Sequence, residues 1–194
     1  MLYLARHGQT AANAAGLFLG RADPPLTELG RRQARAIADA LPAPSRIVSS
    51  PLRRARDTAA AFGQAVEIDE RWVEMDYGEL DGRPVDSVAS ETWSRWRTDP
   101  TFAPSGGESL AVVGERVRNA CAELAESADG KDVVVVSHVS PIKAAIAWAL
   151  GVTDAVAWRM FVVDAAVARV DIGPPAPLLM SFNEVFPVPA GSHG

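Results

Sequence analysis

The run Val133-Val134-Val135-Val136-Ser137-His138 decides the fold, because consecutive apolar, β-branched residues are typical of a central strand that is covered on both faces. Outward from this run, further segments predict strands at residues 2–5, 46–49, 66–68, 167–172 and 178–182. Helical patterns alternate with most of these strands. The sequence therefore predicts a three-layer α/β/α sandwich with a mainly parallel central sheet.

Three helix starts are signalled by the residues that precede them. Thr27 is expected to cap a helix whose apolar positions have helical spacing. The pairs Ser50-Pro51 and Ser140-Pro141 each predict a hydroxyl N-cap followed by proline at the first helical position. Both pairs directly follow strands, and open α/β sheets bind ligands at such strand-to-helix turns.

Length and composition predict one globular domain over residues 1–187, with a disordered tail at 188–194. The net charge of −5 argues against nucleic-acid binding, so an anion site must be built by a few local basic residues. Apolar runs stay below the length of a membrane span, and the N-terminus reads as a strand rather than a signal peptide. The single Cys121, on the apolar face of a predicted helix, fits a reducing cytoplasm.

The segment from residue 72 to residue 107 has a different composition from the rest of the chain. It is rich in glycine, proline and aromatic residues, namely Trp72, Tyr77, Trp93, Trp96 and Phe102. We interpret it as a lid-like excursion with a short helix near residues 85–97. Its aromatic side chains fit either a partly apolar leaving group or the core.

Two histidines follow predicted central strands. His7 ends the first strand and His138 ends the strand at 133–137, so the two can lie side by side at the carboxyl edge of the sheet. Either one alone is more often a satisfied turn residue, whereas the pair in this placement favours function.

Arginines surround both strand ends. Arg6 adjoins His7, while Arg53 and Arg54 fall in the first turn predicted after Ser50-Pro51, where a cation opposes the helix dipole. A bound dianion would reverse the sign of that interaction, since helix N–H groups and a guanidinium would then attract the same phosphate. For Arg53 we favour a simple pairing with Asp57, one turn further along the helix.

An ordered series of segments over residues 1–150 resembles the histidine phosphatase superfamily, which includes the cofactor-dependent phosphoglycerate mutases. These segments are Arg6-His7-Gly8-Gln9-Thr10 followed by Asn13, Pro25-Leu26-Thr27-Glu28-Leu29-Gly30, the stretch 49–59 that selects Arg54, the stretch 74–82 that selects Glu74, Ser105-Gly106-Gly107-Glu108-Ser109, and Ser137-His138. The first segment alone is a weak signal, but the complete ordered set is a strong one. The family usually has two small residues after its second histidine, and Val139 and Ser140 stand there in this chain.

The resemblance implies a phosphoglycerate mutase-like fold and hydrolysis of a phosphate monoester through a phosphohistidine on His7. Arg6, Arg54 and a protonated His138 are expected to bind the phosphate oxygens, with Asn13 adding a neutral hydrogen bond. Glu74 is the expected proton donor, although the neighbouring carboxylates Asp76 and Glu79 are alternatives. Further candidate site residues are Gln9, Thr10, Val139 and Ser140. One nitrogen of His7 must be occupied, for example by a backbone carbonyl, and the reacting nitrogen is left unassigned.

Several other functions were weighed against a phosphatase. A bisphosphoglycerate-dependent phosphoglycerate mutase is the main alternative, and a phosphate-binding module with a decayed site is a weaker one. A metal enzyme built on His7, His138 and Glu74 is disfavoured, because the arginines would repel a divalent cation. We therefore expect no metal and no cofactor. The expected partner is a small phosphorylated substrate in the cytoplasm, with no nucleic acid and no membrane, and a homodimer is left open.

Overall fold

The computed structural model describes residues 1–188, so the predicted tail, with His193, lies almost wholly outside the described residues. The described chain contains one six-stranded sheet of spatial order β3-β2-β4-β1-β5-β6. Its strands are β1 Leu2–Arg6, β2 Arg46–Ser49, β3 Glu67–Ile68, β4 Val133–Ser137, β5 Val167–Asp171 and β6 Leu178–Glu184. Each strand lies within two residues of its predicted bounds.

The sheet is mainly parallel, as predicted. Strands β1, β4, β2 and β3 pair in parallel, while β5 runs antiparallel to β1 and β6 runs antiparallel to β5. In the β1–β4 register Arg6 lies opposite Ser137, and the backbone N–H of His7 donates to the Ser137 carbonyl at 3.0 Å. The two histidine-bearing strand ends are therefore neighbours.

Helices cover both faces of the sheet and complete the predicted three layers. They are α1 Ala11–Ala14, α2 Glu28–Ala40, α3 Arg53–Ala59, α4 Ser90–Thr98, α5 Leu110–Ser127 and α6 Val139–Ala149. Val133 and Val135 of β4 share one buried cluster with α5 and α6, whereas Val134 and Val136 share another with α2 and α3. Alternate side chains of β4 thus enter opposite cores, which explains why this strand is apolar at every position.

One predicted helix start is confirmed and two are wrong. Thr27 caps α2, because its Oγ1 accepts from the N–H of Gly30 at 3.0 Å. Helix α3 begins at Arg53 rather than Pro51, and helix α6 begins at Val139, with His138 rather than Ser140 at the N-cap. In α3 the capping acceptor comes from a distant loop, since the Asp23 carboxylate accepts from the N–H of Arg53 at 2.7 Å.

The segment 72–107 consists of short helical turns and α4. Its predicted helix near 85–97 is divided into a 3-10 turn at Val85–Ser87 and the α-helix Ser90–Thr98. Trp72 and Trp96 are buried in the same cluster as α5 and α6, so these two aromatics belong to the core. Lid-like behaviour of the segment stays a prediction.

Candidate active site

The site lies where β1 and β4 end. His7 follows β1 and His138 follows β4, and their rings lie with centroids 5.0 Å apart in an edge-to-face arrangement. Both side chains are buried, with 3% of His7 and none of His138 exposed. The pairing that the sequence predicted for the two histidines is therefore present.

The ring of His7 is held by its own backbone turn. Its Nδ1 donates to the carbonyl of Gly8 at 2.7 Å, which leaves the lone pair on Nε2. Gly8 is required here, because a Cβ at this position would clash with the carbonyl oxygen of Gly30 in α2. The N–H of Gly8 in turn donates to Thr58 Oγ1 at 3.0 Å.

Arg54 lies between the two histidines and is fully buried. Its Nε donates to His7 Nε2 and to His138 Nδ1, each at 3.2 Å. Its terminal nitrogens donate to backbone carbonyls, including those of Ala22 at 2.7 Å and Gly20 at 2.9 Å. The guanidinium is therefore fixed by the backbone on one side and points its Nε–H toward the two imidazoles.

His138 has a defined neutral tautomer in this arrangement. Because Nδ1 accepts from Arg54, the ring proton lies on Nε2, which donates to Ser50 Oγ at 2.7 Å. Burial, the nearby Arg54 and the facing His7 all lower the pKa of His138 well below its usual value. His138 is therefore neutral in this arrangement, and its protonation in contact with a phosphate stays a prediction.

His7 is neutral for similar reasons. Burial is the largest cause that lowers its pKa well below the usual range, and Arg54 and Arg6 lower it further. The bond to the Gly8 carbonyl opposes this shift without reversing it. A neutral imidazole with its lone pair on Nε2 has the form that a nucleophile needs, and here that lone pair accepts from the Nε–H of Arg54.

Arg6 is held from the side opposite Arg54. One terminal nitrogen donates to the carbonyl of Val162 at 2.6 Å, and the other pairs with the Asp164 carboxylate at 2.7 Å. Its Nε is buried and has no hydrogen-bond partner among residues 1–188. A buried donor without a partner carries a desolvation penalty that a hydrogen-bond acceptor would remove.

Glu74 is buried and bound to the start of α6. Its Oε1 accepts from the backbone N–H groups of Met75 at 2.7 Å and Ser140 at 3.2 Å. Two residues further along the chain, the N–H of Asp76 donates to the Glu108 carboxylate at 2.9 Å. The acid is thus positioned by backbone groups next to the second histidine.

Arg6, His7, Asn13 and Glu74 line one cleft of about 630 Å³, whereas the fully buried Arg54 and His138 lie behind His7 and are not part of its lining. Val139 also lines this cleft, while the Ser140 hydroxyl lies 3.2 Å from the Tyr77 hydroxyl.

The other candidate residues near His7 have structural partners. Thr10 caps α1, and its hydroxyl and N–H both donate to the side-chain oxygen of Asn13, at 2.8 and 3.1 Å. Gln9 contacts Thr27 at the start of α2, and its side chain is not part of the cleft lining.

Sequence reasoning missed four residues that contact this site. Ser50 was considered only as a helix cap, and Thr58 and Asp164 carried no pattern that could have found them. Lys143 could have been found, because it lies one helical turn after Val139 and therefore on the same face of α6.

Among the described residues, no group of three or more histidine, cysteine or acidic side chains is arranged to hold a metal ion. In the same part of the chain, no helix is long and apolar enough to span a membrane.

Fold and site together define an α/β protein with a buried, arginine-flanked histidine pair, of which His7 lines a cleft with basic residues suited to an anion. The family model of the histidine phosphatase superfamily, branch 1, matches residues 2–185. The chain therefore belongs to the histidine phosphatase superfamily, as its sequence motifs predicted.

Similar proteins include several from mycobacteria. The glucosyl-3-phosphoglycerate phosphatase of Mycolicibacterium vanbaalenii is 42% identical over 166 residues, which cover 77% of this chain and 74% of that protein. The bifunctional protein Rv2228c of Mycobacterium tuberculosis is 39% identical over 159 residues, and the match spans 77% of this chain but 44% of that longer protein. The solved structure of mycobacterial glucosyl-3-phosphoglycerate phosphatase in complex with VO3 has a TM-score of 0.85 and 35% identity, covering 94% of this chain and 98% of the other.

Proposed function

We propose that this protein is a phosphomonoesterase that hydrolyses a small phosphorylated metabolite through a phosphohistidine on His7. The observation that carries the proposal is the state of His7: it is neutral, its Nδ1 is occupied by the Gly8 carbonyl, and its Nε2 lone pair lies beside a buried guanidinium. Family membership and the similarity to phosphatases support the same reaction.

In the first step, His7 Nε2 attacks phosphorus and a P–N bond forms. The P–O bond to the leaving group breaks, and the Glu74 carboxyl gives its proton to the departing oxygen. Arg6 and Arg54 bind the phosphate oxygens and stabilise the charge of the transition state. Arg6 contributes the unpaired Nε, and Arg54 contributes the Nε–H that is directed at the two imidazoles.

In the second step, water attacks phosphorus and the P–N bond breaks. The Glu74 carboxylate takes a proton from that water, and inorganic phosphate leaves with the imidazole of His7 restored to its neutral form. His138 begins this cycle neutral, and an arriving dianion favours its protonation, since opposite charges at short range stabilise each other. Asn13 adds its side-chain amide at the mouth of the cleft.

The arginines supply the positive charge that a metal ion supplies in other phosphoryl-transfer enzymes. We therefore propose that the reaction requires neither a metal nor a cofactor. We also propose a cytoplasmic location, which the buried free thiol of Cys121 supports, since thiols persist in reducing compartments.

Glucosyl-3-phosphoglycerate is the first substrate to test, because similar proteins are named glucosyl-3-phosphoglycerate phosphatases. The test of mechanism is rapid quenching with ³²P-labelled ester, followed by peptide mapping under alkaline conditions that preserve phosphohistidine. We expect the label on the peptide that contains His7, and we expect His7→Ala to lose both label and turnover.

A pair of acid variants sharpens this experiment. With labelled p-nitrophenyl phosphate, whose leaving group needs little acid catalysis, Glu74→Gln slows mainly the removal of the phosphoryl group and should increase the trapped label. Glu79→Gln, at an exposed carboxylate nearby, should behave as wild type. Label on another residue, or substantial turnover by His7→Ala, would refute the mechanism.

A further inference from the structure

Lys143 is a cation without a partner in the cleft. It is half-buried on α6, lines the same cleft as Arg6 and Glu74, and makes no ion pair or hydrogen bond with any residue of the described chain. Burial lowers the pKa of Lys143, Glu74 opposes this effect, and Arg6 adds to it. A partly desolvated ammonium without a counter-ion is unfavourable, and a bound anion would remove that penalty.

An aromatic pocket opens beside this lysine. Its volume is about 150 Å³, and its aromatic walls are Phe18, Tyr77, Trp93, Trp96 and Trp158. Lys143 and Val139 line both this pocket and the larger cleft that contains His7. The pocket is therefore a side compartment of the candidate active site, and a cavity of this size accepts about one benzene-sized group.

Lys143 supplies the free polar group of this pocket. It is the one charged residue in the pocket lining among residues 1–188. The two hydroxyls present, on Tyr77 and Ser140, are already bonded to each other. A ligand with a negatively charged oxygen on a short carbon chain satisfies the ammonium, whereas a fully apolar ligand leaves it unpaired.

We propose that Lys143 binds a carboxylate on the leaving group, so that the substrates of this site are small phosphorylated hydroxy acids. A carboxylate is favoured over a second phosphate, because one ammonium in a largely apolar pocket matches a single negative charge. The carbon chain between ester oxygen and carboxylate lies against the aromatic walls. This assignment rests on the proposed phosphatase activity and names its substrate class.

The test compares two esters that differ at one carbon. In 3-phosphoglycerate the carbon is a carboxylate, and in glycerol 3-phosphate it is a hydroxymethyl group. We expect wild type to prefer the acid in kcat/KM by about 10- to 100-fold, the range that a hydrogen bond to a charged group supplies. Lys143→Met should abolish most of this preference, and Lys143→Arg should retain part of it.

Lys131→Met is the matched control, since Lys131 is the other lysine of the chain and is exposed. It should leave the ratio of the two kcat/KM values at the wild-type value. A wild-type ratio near one would overturn the assignment, as would a Lys143→Met variant that loses activity equally on both esters. Trapping of the labelled phosphoryl group on His7 separates the two proposals. Equal labelling by the two esters refutes the role of Lys143 alone, whereas a failure of both esters to label His7 refutes the phosphatase.

Discussion

Acidification is expected to destabilise this fold well before its carboxylates titrate. In the native state, burial and the neighbouring arginines hold the pKa values of His7 and His138 well below 6.5. In the unfolded chain the same residues bind protons near pH 6.5. The unfolded state therefore binds more protons below that pH, and the free energy of unfolding falls as the pH falls.

The magnitude follows from two buried imidazoles. At pH 5.5, one unit below the unfolded pKa, each histidine that stays neutral in the fold lowers the free energy of unfolding by about 1.4 kcal/mol relative to pH 7.5. Together the two histidines lower the free energy of unfolding by about 3 kcal/mol. This is a large part of the total, since an ordinary domain has a free energy of unfolding of about 5–15 kcal/mol. Glu67 and Asp69, whose pKa values are lowered in the fold by Arg46 and Arg71, lose their contribution only at lower pH.

Urea unfolding followed by tryptophan fluorescence at pH 7.5, 6.5 and 5.5 measures this effect. His138→Asn preserves an acceptor for Arg54 but removes one titrating imidazole. The pH dependence of its free energy of unfolding should therefore be about half that of wild type, whatever the absolute stability of the variant. NMR titration of the imidazole signals gives the native pKa values directly. Unfolding free energies that stay constant or rise from pH 7.5 to 5.5 would refute the reasoning, as would an unchanged slope in His138→Asn.

Four further outcomes are expected. Glu74→Gln should reduce kcat/KM for alkyl phosphates by about 10²- to 10⁴-fold and for p-nitrophenyl phosphate far less, because general acid catalysis matters where the leaving oxygen is strongly basic; equal losses on both esters would move the proton donor elsewhere. Ser50→Ala should lower the free energy of unfolding by about 1–3 kcal/mol, since it leaves the buried Nε2–H of His138 without its acceptor, whereas Ser127→Ala at the exposed end of α5 should change it little. Activity should persist in a chelator and be inhibited by vanadate, and a loss that one divalent ion restores would favour a metal enzyme. With 3-phosphoglycerate, free phosphate should appear without a bisphosphoglycerate primer, and fast primer-dependent formation of 2-phosphoglycerate would show a mutase instead.

The sheet and the placement of both histidines could be predicted because their causes are local. A continuous β-branched run can be satisfied only as a strand with both faces covered, and β4 has that position. Parallel strands end at one edge, so the residues after β1 and β4 could be expected at the same edge, while their direct adjacency depends on the strand order that the structure shows. The cap at Thr27 is equally local, since acceptor and donor lie three residues apart.

The two serine–proline turns could not be predicted in the same way, because their hydroxyls have partners far along the chain. The Ser50 hydroxyl accepts from His138, 88 residues away, and the Ser140 hydroxyl is bonded to the Tyr77 hydroxyl, 63 residues away. Helix α3 then takes its capping carboxylate from Asp23. Local propensity predicted a cap at both places, and contacts made by the assembled site override it.

The charge state of the site depends on the same long-range contacts. Arg54 is held beside the two histidines by the carbonyls of Gly20 and Ala22, where its charge adds to the effect of burial in lowering the pKa of each imidazole. Arg6 is fixed in a comparable way by Val162 and Asp164. In a chain of net charge −5 these two guanidinium groups are a local exception to the overall acidity. Arg6 has a counter-ion in Asp164, whereas Arg54 is buried among backbone carbonyls with the Asp23 carboxylate 3.9 Å away. In the proposed reaction a phosphate dianion adds counter-charge to both arginines, while the same two cations add to the burial that lowers the pKa of His7. The cations that we propose to bind the substrate therefore also help to keep the proposed nucleophile neutral.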